Sequence, residues 1–140
     1  MPPGAAELKF ILPSDSRFLP VVRGAIGPLA EVVGWDESEC TEIKLALDEA
    51  LANVIRHAYH NRLDGRIELI CRASAEGLEF TLLDNGDAPD KSKICAREIG
   101  CDKPGGLGSH IIKDVMDTVC YEVSATGNRF VATKLLRRTI

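Results

Sequence analysis

What this sequence lacks narrows its function before any motif is read. No apolar run approaches the roughly 20 residues that a membrane-spanning helix needs, so no span is expected. The opening MPPGAAELKF has neither the basic start nor the apolar core of a secretory leader. Positive charge is in short supply: 17 Lys and Arg stand against 21 Asp and Glu, a net charge of −4. Beyond the Arg137–Arg138 pair there is no evident basic cluster, which argues against direct contact with nucleic acid. The five cysteines, Cys40, Cys71, Cys95, Cys101 and Cys120, are scattered and include no CxxC pair. They read as free thiols of a reducing cytoplasm, and the spacing of Cys95 and Cys101 across one loop is not diagnostic of a redox pair. His57 and His60 have no cysteine pair at zinc-ligand spacing near them. There is no internal repeat and no linker.

What is present describes a soluble chain. Its 140 residues are 45% hydrophobic and 27% charged, which suits a single globular domain over 1–140 with a full core. Glu7 to Leu12 alternates as a strand, and Pro13 ends it. Ser14 and Asp15 are candidate N-caps for a helix from about Ser16 to Val33. Pro20 falls near its first turn, while Gly24, Gly27 and Pro28 weaken its second half. Asp36 caps a second helix that runs to about His60, with Glu37 and Glu39 at the positive end of its dipole. Arg66 to Arg72 and Leu78 to Leu83 read as a hairpin. Val119 to Ala125 and Arg129 to Leu136 read as another, turning at Thr126–Gly127–Asn128. Between the hairpins, Asp84 to Gly108 holds no period, and helical spacing resumes from Ser109 to Asp117. This order predicts a two-layer α/β sandwich: one mixed or antiparallel sheet with helices on one face. The repeated strand–helix crossovers of a dinucleotide-binding fold are missing.

The stretch Lys44 to His60, KLALDEALANVIRHAYH, holds a polar set that its hydrophobic pattern does not require. Ile43, Leu47, Ala50, Leu51, Val54 and Ala58 form one apolar stripe. Glu49, Asn53 and His57 follow one another at four-residue steps and lie beside that stripe, not opposite it. A carboxylate and an amide at the edge of a core face are half buried, and their burial is costly unless something binds them. Neighbouring backbone would satisfy them equally well on this stretch alone.

Two glycine-bearing segments lie downstream. Asp84-Asn85-Gly86 follows a strand; its carboxylate could accept a hydrogen bond from an exocyclic amine while Gly86 lets a flat ring approach. A tight turn explains the same residues. Gly105-Gly106-Leu107-Gly108 precedes a helix, where free backbone N–H groups suit phosphate oxygens. A hinge explains it too, and it matches neither GxxxxGK[ST] nor GxGxxG. Taken together, Asp84 and Gly86 would hold a base and the glycine loop phosphates. Asn53 would reach a divalent cation through its amide oxygen, and Glu49 would take a proton from an attacking hydroxyl.

EALANVIRHA, DNGDAPD and GGLGSHIIKDVMD, in that order, resemble the N box, G1 box and G2 box of the GHKL ATPase superfamily. Within it, the chain resembles the anti-sigma factor serine/threonine kinases, and GNRFVATK resembles their last hairpin. The resemblance implies a Bergerat-type ATP fold with a mixed, mostly antiparallel sheet. It implies Glu49 as catalytic base, Asn53 as magnesium ligand and Asp84, with Gly86 beside it, on the adenine amino group. Gly105, Gly106, Leu107 and Gly108 would contact phosphate at the end of a lid over about 85–108. The implied cofactors are ATP and Mg2+. The implied partners are a sigma factor and a STAS-type anti-anti-sigma protein phosphorylated on serine, in a cytoplasmic homodimer. The G1 box departs from the family's D-x-G-x-G/P-F-D, since Asp87 and Ala88 follow Gly86 and the aromatic is absent. Lys91, Lys93, Arg97 and Lys103 offer compensating positive charge, with Lys103 the best placed for nucleotide. A nucleotide-binding regulator that acts only by sequestering its partner is the alternative, and Glu49 four residues before Asn53 favours catalysis.

Overall fold

The computed structural model describes residues 4–88 and 110–137. In chain order the elements are β1 (Ala6–Pro13), α1 (Leu19–Val33), α2 (Glu37–Asn53), β2 (Arg66–Ser74), β3 (Gly77–Asp84), α3 (His110–Val115), β4 (Thr118–Ser124) and β5 (Gly127–Leu135). The strands form one sheet in the order β1-β2-β3-β5-β4, and each neighbouring pair is antiparallel. The expected choice between a mixed and an antiparallel sheet thus falls on the antiparallel side. Helices pack on one face of it, and the two-layer sandwich stands.

Alternation along the strands makes that face. The register sets Leu69 beside Leu82 and Leu82 beside Phe130, and sets Cys71 beside Phe80 and Phe80 beside Ala132. All of these side chains are buried against α1 and α2, which contribute Ile26, Ala30, Val33, Ile43, Leu47 and Leu51. The same register carries Asp84 to a position opposite Asn128, so the last row before the cleft is polar. The opposite face carries ion pairs in place of a second core, with Arg72 bridging Glu7 at 3.1 Å and Glu79 at 3.0 Å. That charge ladder keeps the sheet one-sided.

Local chemistry sets the helix boundaries. Asp36 and Glu39 form a capping box, with the Glu39 N–H donating to Asp36 Oδ1 at 2.8 Å. The first helix starts later than its sequence suggests: Ser16–Phe18 is a 3₁₀ turn capped by Asp15, and the α-helix begins at Leu19. It continues through Pro28 to Val33 because its buried face holds it against α2. There Gly27 admits the Lys44 stem, whose Cδ would lie 3.1 Å from an added Cβ. The second helix departs more. It ends at Asn53 and passes into a π-turn, Val54–Ala58, before His60 and Asn61 reverse the chain with φ of 52° and 64°. Every residue from Val54 to Ala58 suits an α-helix, so the pattern does not reveal the wider turn.

Ser14 does something other than cap. It is fully buried; its hydroxyl donates to the Arg62 carbonyl and accepts from the Gly65 N–H at 2.9 Å. The hydroxyl thereby ties the end of β1 to the loop that follows the π-turn. Ser14→Ala leaves both backbone groups unpaired and lowers the unfolding free energy by about 1–3 kcal/mol, measured by urea denaturation.

Candidate functional site

A shallow cleft opens between the end of α2, the π-turn and the strands β4 and β5. Ala50, Val54, Ala58 and Phe130 give it an apolar floor; Asn53, His57, Asp87 and Tyr121 supply its polar rim. Phe130 meets Tyr121 edge-on, with ring centroids 6.1 Å apart. Such a floor suits a flat ring, and the polar groups would fix its orientation.

At the sheet end stands Asp84, 5% exposed. Asn128 Nδ2 donates to its Oδ1 at 2.7 Å, and the Gly86 N–H donates to the same oxygen at 2.9 Å. Among the described residues Oδ2 accepts no recorded bond, so one carboxylate oxygen is left for a ligand's donor. Burial pushes this carboxyl's pKa up, and the bonds from Asn128 and Gly86 pull it back in part. The tyrosine at 121 is raised as well, by burial first and by the negative charge of Asp84 second. That pairing ties Asp84 to a side chain of the cleft.

The turn after Asp84 is held by contacts the motif does not announce. The Tyr59 hydroxyl donates to the Arg66 carbonyl at 2.6 Å and accepts from the Asn85 N–H at 2.9 Å. Its ring lies against Gly65, where an added Cβ would fall 2.5 Å from it. Gly86 has a reason within the fold to be glycine: its Cβ would sit 2.4 Å from the Ala58 carbonyl oxygen. That close packing lets the Asp87 N–H donate to the same carbonyl at 2.8 Å. The Asp87 carboxylate, which the family's G1 pattern does not require at this position, pairs with His60 Nε2 at 2.7 Å.

At the other end, Asn53 is 5% exposed. The Glu49 carboxylate is half-buried one turn back. Arg56 Nη2 donates to Asn53 Oδ1 at 2.6 Å and to Glu49 Oε2 at 3.3 Å. The two oxygens therefore already share one cationic group, and hard oxygen donors of this kind suit magnesium. Among the described residues no three His, Cys, Asp or Glu form a metal cluster. A metal here would take one or two ligands from the protein and the rest from phosphate and water. The structure thus sets Asn53 on the rim of the cleft with Glu49 one turn back, while Asp84 and Gly86 meet its lining indirectly, Asp84 through its charge on Tyr121 and Gly86 by packing on Ala58. Lys103, Gly105, Gly106, Leu107 and Gly108 lie outside the described residues, as do Lys91, Lys93, Arg97, Cys95 and Cys101. Asn128, Tyr59 and Arg56 are additions that the motifs did not single out.

The family described as histidine kinase-like ATPase domain matches residues 12–134. Among curated relatives, the serine-protein kinase RsbW of Listeria innocua is 29% identical over 116 residues, 77% of this chain and 74% of that protein. The RsbW of Bacillus velezensis is 25% identical over 134 residues, 89% of this chain and 82% of that protein. In structure the chain resembles the RsbU and RsbW domains of Rv1364c from Mycobacterium tuberculosis, with a TM-score of 0.66 at 18% identity. That match covers 96% of this chain and 34% of the other, so the chain spans about a third of it and the likeness speaks to the fold.

The buried carboxylate makes a testable demand on stability. Folded Asp84 holds its proton more tightly than the unfolded chain does, so ionisation costs stability as the pH rises above the ordinary value of 3.8. Asp84→Asn removes that cost at neutral pH, and its urea midpoint rises above wild type. The gain shrinks as the pH is lowered toward 3.8. A variant less stable than wild type at neutral pH would show that the bonds from Asn128 and Gly86 outweigh the burial.

Proposed function

The chain belongs to the histidine kinase-like ATPase domain family, and on that premise we propose that it is a Mg-ATP-dependent serine/threonine protein kinase and anti-sigma factor. The observation that carries this reading is the meeting of Glu49 and Asn53 on one cationic group, with Asn53 on the rim of an apolar-floored cleft whose Tyr121 feels the charge of Asp84. The names of the curated RsbW relatives, serine-protein kinases, point the same way.

In this reading Asp84 Oδ2 accepts a hydrogen bond from the adenine amino group, and the ring rests on Ala50, Val54, Ala58 and Phe130. Asn53 offers its amide oxygen to magnesium, which when bound offsets the negative charge of the phosphates. Glu49 takes the proton from a serine hydroxyl of the partner. The hydroxyl oxygen forms the new bond to the terminal phosphorus, the bond to the bridging oxygen breaks, and ADP leaves. Lys103, Gly105, Gly106, Leu107 and Gly108 are assigned to the phosphates on their sequence, within a lid over about 85–108 of a single domain. The proposed substrate is a STAS-type anti-anti-sigma protein and the proposed sequestered partner a sigma factor. The proposed state is a homodimer in the cytoplasm. No helix among the described residues is long and apolar enough to cross a membrane. A regulator that only sequestered its partner would need the pocket but not a base beside the metal ligand, so Glu49 favours catalysis.

Transfer from γ-labelled ATP to a purified STAS partner, read beside nucleotide binding by fluorescence, tests the roles. Glu49→Gln lowers transfer by about 10²–10⁴-fold, the range of general-base catalysis, and leaves nucleotide affinity near wild type. Undiminished transfer would reject Glu49 as the base. Asp84→Ala weakens adenine nucleotides by about 1–3 kcal/mol, the scale of a lost buried hydrogen bond; equal affinity would reject the adenine pocket.

A further inference from the structure

Resting on that reading, we propose that Arg56 is a built-in rival of the metal ion: it holds the two oxygens that the chemistry needs, and a metal binding at Asn53 must displace it. The geometry is specific. A single guanidinium nitrogen, Nη2, spans Asn53 Oδ1 at 2.6 Å and Glu49 Oε2 at 3.3 Å. Asn53 is three residues before Arg56 and Glu49 seven before it, so all three lie along one flank of α2 and its π-turn. Magnesium bonds oxygen at about 2.0–2.1 Å. A metal at that distance from Asn53 Oδ1 would set a divalent cation beside the guanidinium on one small oxygen, and their mutual repulsion drives the weaker ligand off.

Arg56 is the one free to go. Its side chain is 46% exposed, and a half-exposed pair of this kind opens into water at little cost. Its departure has a second effect, because the same nitrogen covers Glu49 Oε2. Metal arrival therefore uncovers the base in the same movement. Until then one oxygen of Glu49 is engaged by a donor and the amide of Asn53 is held in place. A lysine ammonium, a point donor on a flexible stem, would hold the two oxygens less well than the pre-organised guanidinium.

Metal affinity reads this directly. Mn2+ is titrated into the full chain with saturating AMP-PNP, and the ternary complex is followed by water-proton relaxation. Arg56→Ala lowers the half-saturating Mn2+ concentration by about two- to tenfold, the range of a partly exposed, charge-assisted pair. Arg56→Lys falls between alanine and wild type. Arg23→Ala is the control for net charge, since Arg23 pairs with Asp48 at 2.7 Å and has no recorded bond to Asn53 or Glu49. Its Mn2+ titration stays at wild type. Equal or weaker Mn2+ binding in Arg56→Ala overturns the rivalry while leaving the ATP reading intact. Equal tightening in Arg23→Ala also overturns it, by assigning the effect to charge alone. A wild-type chain that binds AMP-PNP and no Mn2+ overturns the rivalry and the metal role of Asn53 together. Failure to bind AMP-PNP under any condition removes the ATP reading itself.

Discussion

The buried carboxylate of Asp84 sets the terms for the rest of the site. An ionised group at 5% exposure needs donors, and the sheet register supplies one by placing Asn128 opposite it on β5. The donor reaches further than the carboxylate, since Asn128 Nδ2 also lies 3.2 Å from the carbonyls of Gly86 and Asp87. One amide thus fixes the acid and the turn that follows it. A single-residue slip between β3 and β5 would turn Asn128 to the charged face and leave Asp84 buried without it. The register of the sheet and the integrity of the site are the same constraint.

From that anchor the site divides into two ends with opposite electrostatics. The sheet end is apolar with one buried acid, where a single well-placed donor on a ligand gains from low surrounding polarity. The helix end is half open to water and holds a carboxylate and an amide oxygen under a guanidinium. The π-turn joins the two ends. It gives His57 to the rim beside Asn53 at the end of α2, and turns the Ala58 carbonyl toward the segment after Asp84. A helix fixed at one end by the Asp36–Glu39 box and at the other by Tyr59 gives both groups a rigid support.

The sequence revealed the parts whose physics is local. The capping box is spelled out by Asp36 and Glu39, the sheet's inner face by alternation in β2, and the half-buried flank of α2 by Glu49 and Asn53 beside an apolar stripe. What it hid depends on partners distant in the chain. Asn128 sits next to Gly127 and reads as a turn residue, yet it is the second residue of β5 and its side chain is buried on Asp84, 44 positions away. Tyr59 reads as the tail of a helix, yet it anchors Asn85. Gly86 was legible as a glycine that something needs, but its packing on Ala58 of the π-turn was not. Asp87 was legible as added negative charge, but not as the partner of His60.

Both ends of the cleft are held in arrangements that a ligand would improve. The carboxyl of Asp84 is pushed up by burial, and a donor from a ligand to Oδ2 would favour its charged form and relieve part of that cost. The oxygens of Asn53 and Glu49 rest on an arginine, a singly charged and partly solvated substitute for a divalent ion. The gain at the sheet end would come from supplying a missing partner, and that at the helix end from exchanging a weak cation for a strong one. Under the proposed reading a nucleotide with its metal would meet both conditions at once, a nucleoside alone the first and a free metal ion only the second. In that reading the two ends thus act in opposite senses: burial of Asp84 leaves a cost that a ligand's donor would relieve, whereas Arg56 satisfies the oxygens of Asn53 and Glu49 until a stronger cation takes its place.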